Sequence, residues 1–259
     1  SNFAKIRHFQ TAAWRQEQCL PELTKCFSLL APLAAAHPLT APPPAGPKGI
    51  MIITSDEGFL GEFNGDILRA ALAEKKSPED DCIVLGERGA LALEERRQPY
   101  AFFSQAAGRR DYETAVAVSG FLFKEFLRRR YRQVVIFYAG LESAVSWRVR
   151  CQRVLPLPAG APAAKHASEL LIEPSAESVL QGLARLYLQA AVFGIFHAAQ
   201  AAEYAARLMY LERGDQELAQ RNRQLRQQFF KRAQVIAEKN IRENLAAKLL
   251  QERAHGRSG

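Results

Sequence analysis

The stretch Thr54-Ser55-Asp56-Glu57-Gly58-Phe59-Leu60-Gly61-Glu62-Phe63-Asn64 follows a short apolar run and leads into a helical pattern. Hydroxyls, a carboxylate, two glycines and an amide at a strand-to-helix turn are the parts of a phosphate-binding loop, in which backbone N–H groups and a helix N-terminus meet an anion. The spacing does not support that chemistry. Neither G-x-x-x-x-G-K-[ST] nor G-x-G-x-x-G is present. No lysine is placed to reach a phosphate, and Glu57 and Glu62 would repel one. His8, His37, His166, His197 and His255 are scattered, and His197 near Glu203 is not at a ligand spacing. Asp80-Asp81 reads as a solvated pair in a polar turn. Cys19, Cys26, Cys82 and Cys151 form no C-x-x-C and no metal-ligand spacing. Cys19 and Cys26 would stand about 10 Å apart on a helix, too far for a disulfide. All four are expected to be buried, reduced thiols in a cytosolic protein. No nucleophile–base–acid set emerges. The expectation is a chain with no catalytic residues, no cofactor and no metal.

The elements around this loop are dominated by the C-terminal third. From Ser175 to about Leu250 there is no proline. A continuous helix of that length would run to ~110 Å, too long to bury itself on one small core. A seam through Ala201, Tyr204, Leu208, Leu211, Asp215, Leu218, Asn222, Leu225, Phe229 and Ile236 alternates steps of three and four, as a coiled coil does, with Arg232 as an interruption. Leu180, Leu183, Tyr187 and Ala190 begin a similar stripe. The N-terminal residues Phe3 to about His37 carry Ile6, Phe9, Ala13, Leu20, Leu23, Phe27 and Leu30 at helical spacing, with Pro21 expected to kink or restart the helix. Ser1-Asn2 reads as a cloning remnant, so the natural chain is expected to begin earlier.

Between the helices, Pro38 to Pro47 is a stiff proline-rich linker. Short apolar runs then alternate with helical patterns: Ile50–Thr54, Cys82–Leu85, Tyr100–Phe103 and Val134–Tyr138 as strands, Asn64 to Glu74 and Asp111 to Arg130 as helices. Trp147 to Leu155 alternates apolar and polar, the mark of a half-exposed antiparallel strand. Glu169–Ile172 reads as a last strand, and Ser175 as the cap of the long helix. The expected fold is α/β, a Rossmann-like mixed-sheet domain flanked by N- and C-terminal helices that form an antiparallel coiled coil. Its expected divisions are a helix over 1–37, a linker over 38–48, a sheet domain over 49–174, a long helix over 175–250 and a tail over 251–259.

Composition suits a folded protein: 48% of the 259 residues are apolar and 24% charged. No secretory signal and no apolar run of ~20 residues is evident, so no membrane span is expected. The net charge is +8, and in the long helix basic residues follow one another closely, at Arg221, Arg223, Arg226, Lys231, Arg232, Lys239 and Arg242. A basic rod admits a nucleic-acid-binding or coiled-coil scaffold role as the alternative. Aromatics are not interleaved with the basic run beyond Phe229-Phe230, so no nucleic-acid partner is expected.

The loop resembles the signature of the F-type ATP synthase gamma subunit, in which T-S-D, a basic residue, G, a small residue, G and N recur. Thr54, Ser55, Asp56, Gly58, Gly61 and Asn64 match it, and Glu57 stands where that family has a basic residue. Other segments are similar in order: Gly86-Glu87-Arg88-Gly89 to its G-x-K-G turn, Val134–Tyr138 with Ser143 and Val154-Leu155-Pro156 to its strand-loop-strand, Glu173-Pro174 with Leu180 to its entry into the long helix, and Glu203-Tyr204-Ala205-Ala206-Arg207 to S-E-x-A-A-R. The resemblance implies a rotor shaft inside a ring of alpha and beta subunits. Its foot would touch the epsilon subunit and the c-ring, at the cytoplasmic face of a bacterial inner membrane. It implies that Glu173 lies at the c-ring, and that Glu203, Arg207, Arg226 and Gln227 contact the ring. The match departs at Phe230-Lys231-Arg232-Ala233-Gln234, where the family has I-T-x-E-I. The N-terminal helix is short, and 25 to 30 residues of the long helix are expected to lack an intrachain partner.

Overall fold

A computed structural model describes residues 2–30, 37–40, 43, 45–58, 60–103, 112–129, 131–143, 146–157 and 172–255, the side chains of 246–255 excepted. Its centre is strand β1 (Lys48–Ile53), buried at every position. Alternate side chains of a strand leave opposite faces. Ile50 and Ile52 therefore enter one core and Met51 and Ile53 another. A strand covered on both sides is apolar where both faces are packed, so Gly49–Ile53 reads as an unbroken run after Lys48, whose buried ammonium pairs with Glu74.

The chain continues through α2 (Phe63–Glu74), β2 (Asp81–Leu85), α3 (Glu87–Glu95), β3 (Tyr100–Phe103), α4 (Tyr112–Arg129), β4 (Gln133–Ser143) and β5 (Ser146–Leu155). The sheet order is β3-β2-β1-β4-β5. All neighbours are parallel except β4 and β5, an antiparallel pair. One face carries α2 and α3. The other carries α4 and the two flanking helices, α1 (Asn2–Leu30) and α5 (Ala176–His255). Ser175 caps α5 by accepting the Ser178 N–H at 3.2 Å. The expected mixed sheet between two long helices is the fold found.

The flanking helices run antiparallel. Lys5 and Phe9 of α1 meet Tyr204 of α5, and Phe9 also stacks on His197. Further along, a methyl group added at Gly194 would stand 3.1 Å from the Gln16 Cβ. Past the end of α1, His37 lies 3.8 Å from the Glu177 carboxylate. Residue numbers rise on one helix as they fall on the other.

Two compact units divide the chain, Ser1–Tyr210 and Leu211–Gly259. In the first, α5 supplies core residues from Leu180 to Ala206. An 18-residue window of α5 has a mean hydropathy of 1.4, long and apolar enough to cross a membrane. The window passes on average composition, since its longest run without a charged residue, Leu186–Ala202, is bounded by Arg185 and Glu203 and falls short of ~20 residues. Half of that window is buried within the protein, so sheet and helix packing accounts for its apolarity. The second unit is helix up to His255. Its residues 211–245 are exposed apart from Gly214, including Leu211, Leu218, Leu225, Phe229 and Ile236 of the seam and its polar members Asp215 and Asn222.

Several local expectations are corrected. Pro21 neither kinks nor restarts α1, which is continuous through it. It sits on the exposed face, as does Glu17 four residues before, so the carbonyl that loses its donor remains open to water. Only Cys82 is buried; Cys19, Cys26 and Cys151 are exposed, all as free thiols. Helix α3 follows Gly86 directly, over residues to which the sequence pattern assigns no helix. Of the proposed last strand, 169–171 lie outside the described residues, and Ile172 is not in a strand. Asp111 and Arg130, expected at the ends of α4, also lie outside the described residues.

Asp80 and Asp81 are not a solvated pair. Asp80 is buried. Its carboxylate accepts the backbone N–H groups of Lys48 at 2.9 Å and of Lys76 and Ser77 at 3.0 Å each, tying the turn before β2 to the start of β1. Burial disfavours the charged form. The three donors, helped by the Lys48 charge, outweigh it and hold the carboxyl below its ordinary range. Asp81 accepts the Tyr131 hydroxyl at 2.5 Å, and burial with that bond pushes the phenol pKa up. A depressed carboxylate contributes stability that is complete above the unfolded-state pKa and lost as pH falls through the folded one. Asp80→Asn is therefore expected to cost about 1–3 kcal/mol at neutral pH. Urea titrations at descending pH should show the gap to the unmodified protein closing below the usual carboxylate range.

Candidate functional site

The loop between β1 and α2 is built on hydrogen bonds rather than on an anion. Thr54 and Ser55 are completely buried. The Thr54 N–H donates to the Leu85 carbonyl at 2.8 Å, and the Thr54 hydroxyl accepts the Gly89 N–H at 3.0 Å. The same hydroxyl lies 3.3 Å from the Leu85 and Gly86 carbonyls, either of which can take its proton. Ser55 continues the pattern. Its N–H donates to the Asn64 side-chain oxygen at 3.0 Å, its hydroxyl accepts the Asn64 amide at 2.8 Å, and its carbonyl accepts the Arg88 N–H at 3.1 Å. Asp56 accepts the Glu87 N–H at 2.9 Å. That N–H opens α3, where a negative charge also meets the positive end of the helix dipole.

The first loop thus caps the helix after the second strand and anchors the first turn of α2. Two glycines make the approach possible. Gly86 has φ +113, and a Cβ there would stand 2.2 Å from the Thr54 carbonyl oxygen. A Cβ on Gly89 would stand 2.5 Å from the Thr54 hydroxyl. Gly86 and Gly89 are the residues that give the G-x-x-G segment its meaning, as the receptor for Thr54. It is the start of a helix, not an isolated turn.

The outer part of the loop meets α5. Arg207 Nη2 lies 2.9 Å from the carboxylates of both Glu57 and Glu203. Arg207 and Glu203 are mostly covered, with 22% and 16% of their side chains exposed, whereas Glu57 is 75% exposed. An ion pair with one exposed member is screened and weak. The buried Thr54 and Ser55 bonds are what hold the loop, and Glu57 only adds to them. Arg207 also stands over the Tyr204 ring at 5.7 Å.

The other expected residues lie elsewhere. Glu173 is exposed, two residues before the capping Ser175. Arg226 and Gln227 are exposed on α5 in the second unit. His197 packs among Phe9, Phe193 and Gln200 at the α1–α5 seam. Burial, then the nearby His8, holds its pKa below the ordinary value. Among the described residues no cluster has the makings of a metal site.

This pairing of a β1–α2 loop with a G-x-x-G helix start lies inside the region matched by a known family. The family described as ATP synthase matches residues 2–243. The chain belongs to the ATP synthase gamma-chain family. The gamma chain of Geotalea uraniireducens is 25% identical over 181 residues, covering 68% of this chain and 63% of that one. The gamma chain of Chlorobium chlorochromatii is 27% identical over 228 residues, covering 81% and 76%. This chain spans about three-fifths of the length of the Geotalea and Sorangium cellulosum gamma chains. Among solved structures, a chain of the central stalk and c-ring of the Tetrahymena thermophila mitochondrial ATP synthase is similar in fold. Its TM-score is 0.55 at 17% identity, covering 81% of this chain and 99% of that one.

For this gamma-family chain the signature loop is an architectural joint, and its residues can be weighed by burial. Thr54→Val keeps the shape but leaves the Gly89 N–H without its acceptor. The expected loss is about 1–3 kcal/mol in chemical denaturation, with Thr54→Ser largely restoring stability. A Thr54→Val protein as stable as the unmodified one would mean that the hydroxyl network is not what secures the loop.

Proposed function

We propose that this chain is the central rotor shaft of an F-type ATP synthase, coupling ion flow through a c-ring to ATP synthesis or hydrolysis in a ring of alpha and beta subunits. The observation that carries the reading is the division of labour along α5. Residues 180–206 supply core to the sheet domain, while 211–245 display an exposed apolar and basic surface. An element that is core at one end and open at the other is suited to holding a foot and engaging surrounding subunits. In this reading, residues 1–37 and 175–250 form the shaft, and 49–174 form the foot beside an epsilon subunit and the c-ring. The work is mechanical; bond chemistry belongs to the ring. The assembly would sit peripherally at the cytoplasmic face of a bacterial inner membrane.

Family positions supply the contact residues. Arg226 and Gln227 are exposed and available for charge-assisted bonds to ring carboxylates, which can form and break as the shaft turns. Glu203 and Arg207 would extend that contact to the base of the shaft, where they are already joined to Glu57. Glu173 would face the c-ring loops.

The test is reconstitution with alpha and beta subunits. Co-purification and ATP-driven rotation of a bead on the chain are expected. If a known gamma chain binds the same ring and this one does not, the reading is lost. Within an assembled complex, Arg226→Ala is expected to lower ATP-driven torque or turnover about tenfold, the equivalent of one charged hydrogen bond. The isolated protein should keep its stability, because that side chain is exposed.

A further inference from the structure

A trough of about 800 Å3 lies between α4 and α5 in the first unit. Val116, Gly120, Phe123 and Leu127 recur on α4 at helical spacing and give it an apolar floor. Arg185 and Gln189 form the facing wall on α5. A Cβ added at position 120 would meet nothing within 4 Å, so the glycine leaves the trough open at its midpoint.

Its rim is cationic. Lys124, Arg128 and Arg185 line it, and among the described residues no carboxylate does, the Glu125 carboxylate beside Arg128 lying outside the lining. Arg185 is laid over the Phe123 ring at 5.1 Å. Arg128 is oriented by a 2.9 Å bond to Glu125, yet its side chain remains 56% exposed. Lys124 has no ion pair among the described residues. The same helix–helix seam carries an exposed aromatic, Tyr112, set edge-on to Phe193 at 5.6 Å.

We propose that this trough seats an acidic amphipathic α-helix of a partner protein, apolar face down between α4 and α5 and carboxylates on Lys124, Arg128 and Arg185. Charge complementarity selects the occupant: the floor asks for apolar side chains, and the rim asks for negative ones. Shape selects its form. The α4 segment from Val116 to Leu127 is about 17 Å long, three helical turns, and a lengthwise furrow between two packed helices is the seat of a third. The inference stands on the trough alone and does not depend on assembly into a rotor.

The experiment uses the full chain and a labelled four-turn peptide with leucines on one face and glutamates on the other. Anisotropy should show binding that weakens with added salt. Lys124→Glu and Gly120→Leu should each weaken it at least tenfold. Gly120→Leu adds bulk at an exposed helical position and raises helix propensity, so folding is preserved, which circular dichroism checks. The same peptide with lysines for glutamates should not bind. Amide exchange should slow over 116–127 and 182–189 when the acidic peptide is bound. Absence of binding to the unmodified chain would overturn the proposal. So would binding unchanged in both variants. Capture of the chain by phosphatidylglycerol vesicles, with no response to the peptide, would assign the trough to lipid instead.

Discussion

The structure depends on how closely α5 can approach the sheet and α1 at once. Between Leu180 and Ala206 this helix is covered on several sides, with Leu188, Val192, Ile195 and Phe196 buried against one core and Ala202 and Ala206 against the other. Small residues make that possible. Ala184, Ala191, Ala199, Ala201 and Ala205 are buried, and at Gly194 the second helix passes so near that a Cβ would crowd Gln16. Dense packing of this kind is unforgiving of added volume. It also explains why a helix that belongs to a packed core passes a hydropathy test for membrane spans.

The signature loop follows from the same economy of space. Parallel strands β1 and β2 end side by side, and both segments leave the sheet at its same, C-terminal end. Their exits would leave backbone groups without partners. Thr54, Ser55 and Asp56 supply those partners, and the glycines at 86 and 89 let the strands' exits touch. Polar residues that resemble a phosphate loop are satisfied internally. In this fold they serve the backbone and leave the α2 terminus to Asn64 and Ser55.

The helix pair and the trough show the same surface read in two ways. Toward the sheet, α4 and α5 present a continuous apolar stripe; away from it, they leave an apolar furrow edged by guanidinium and ammonium groups. A stripe wider than one contact face leaves apolar surface over, and such surface is where proteins meet partners. The same logic applies within the second unit, whose seam keeps heptad spacing along exposed residues.

The sequence alone determined the periodicities: unbroken runs for β1 and β2, alternation for antiparallel β5, the three-four rhythm of α1 and α5, and the cap at Ser175. Those patterns are local, because strand pleat and helix turn are set by near neighbours along the chain. The spacing of the signature residues was legible too, although their role was not. Only tertiary structure decided what lies across space. Asp80 and Asp81 looked like a solvated turn until β1 and Tyr131 came to meet them. Glu57 looked like a mismatch until Arg207, far along the chain, arrived beside it. Pro21 looked like a break until its helix turned that residue toward water. Polar partners and free faces depend on which distant segments share a core, and no spacing along a single chain records that.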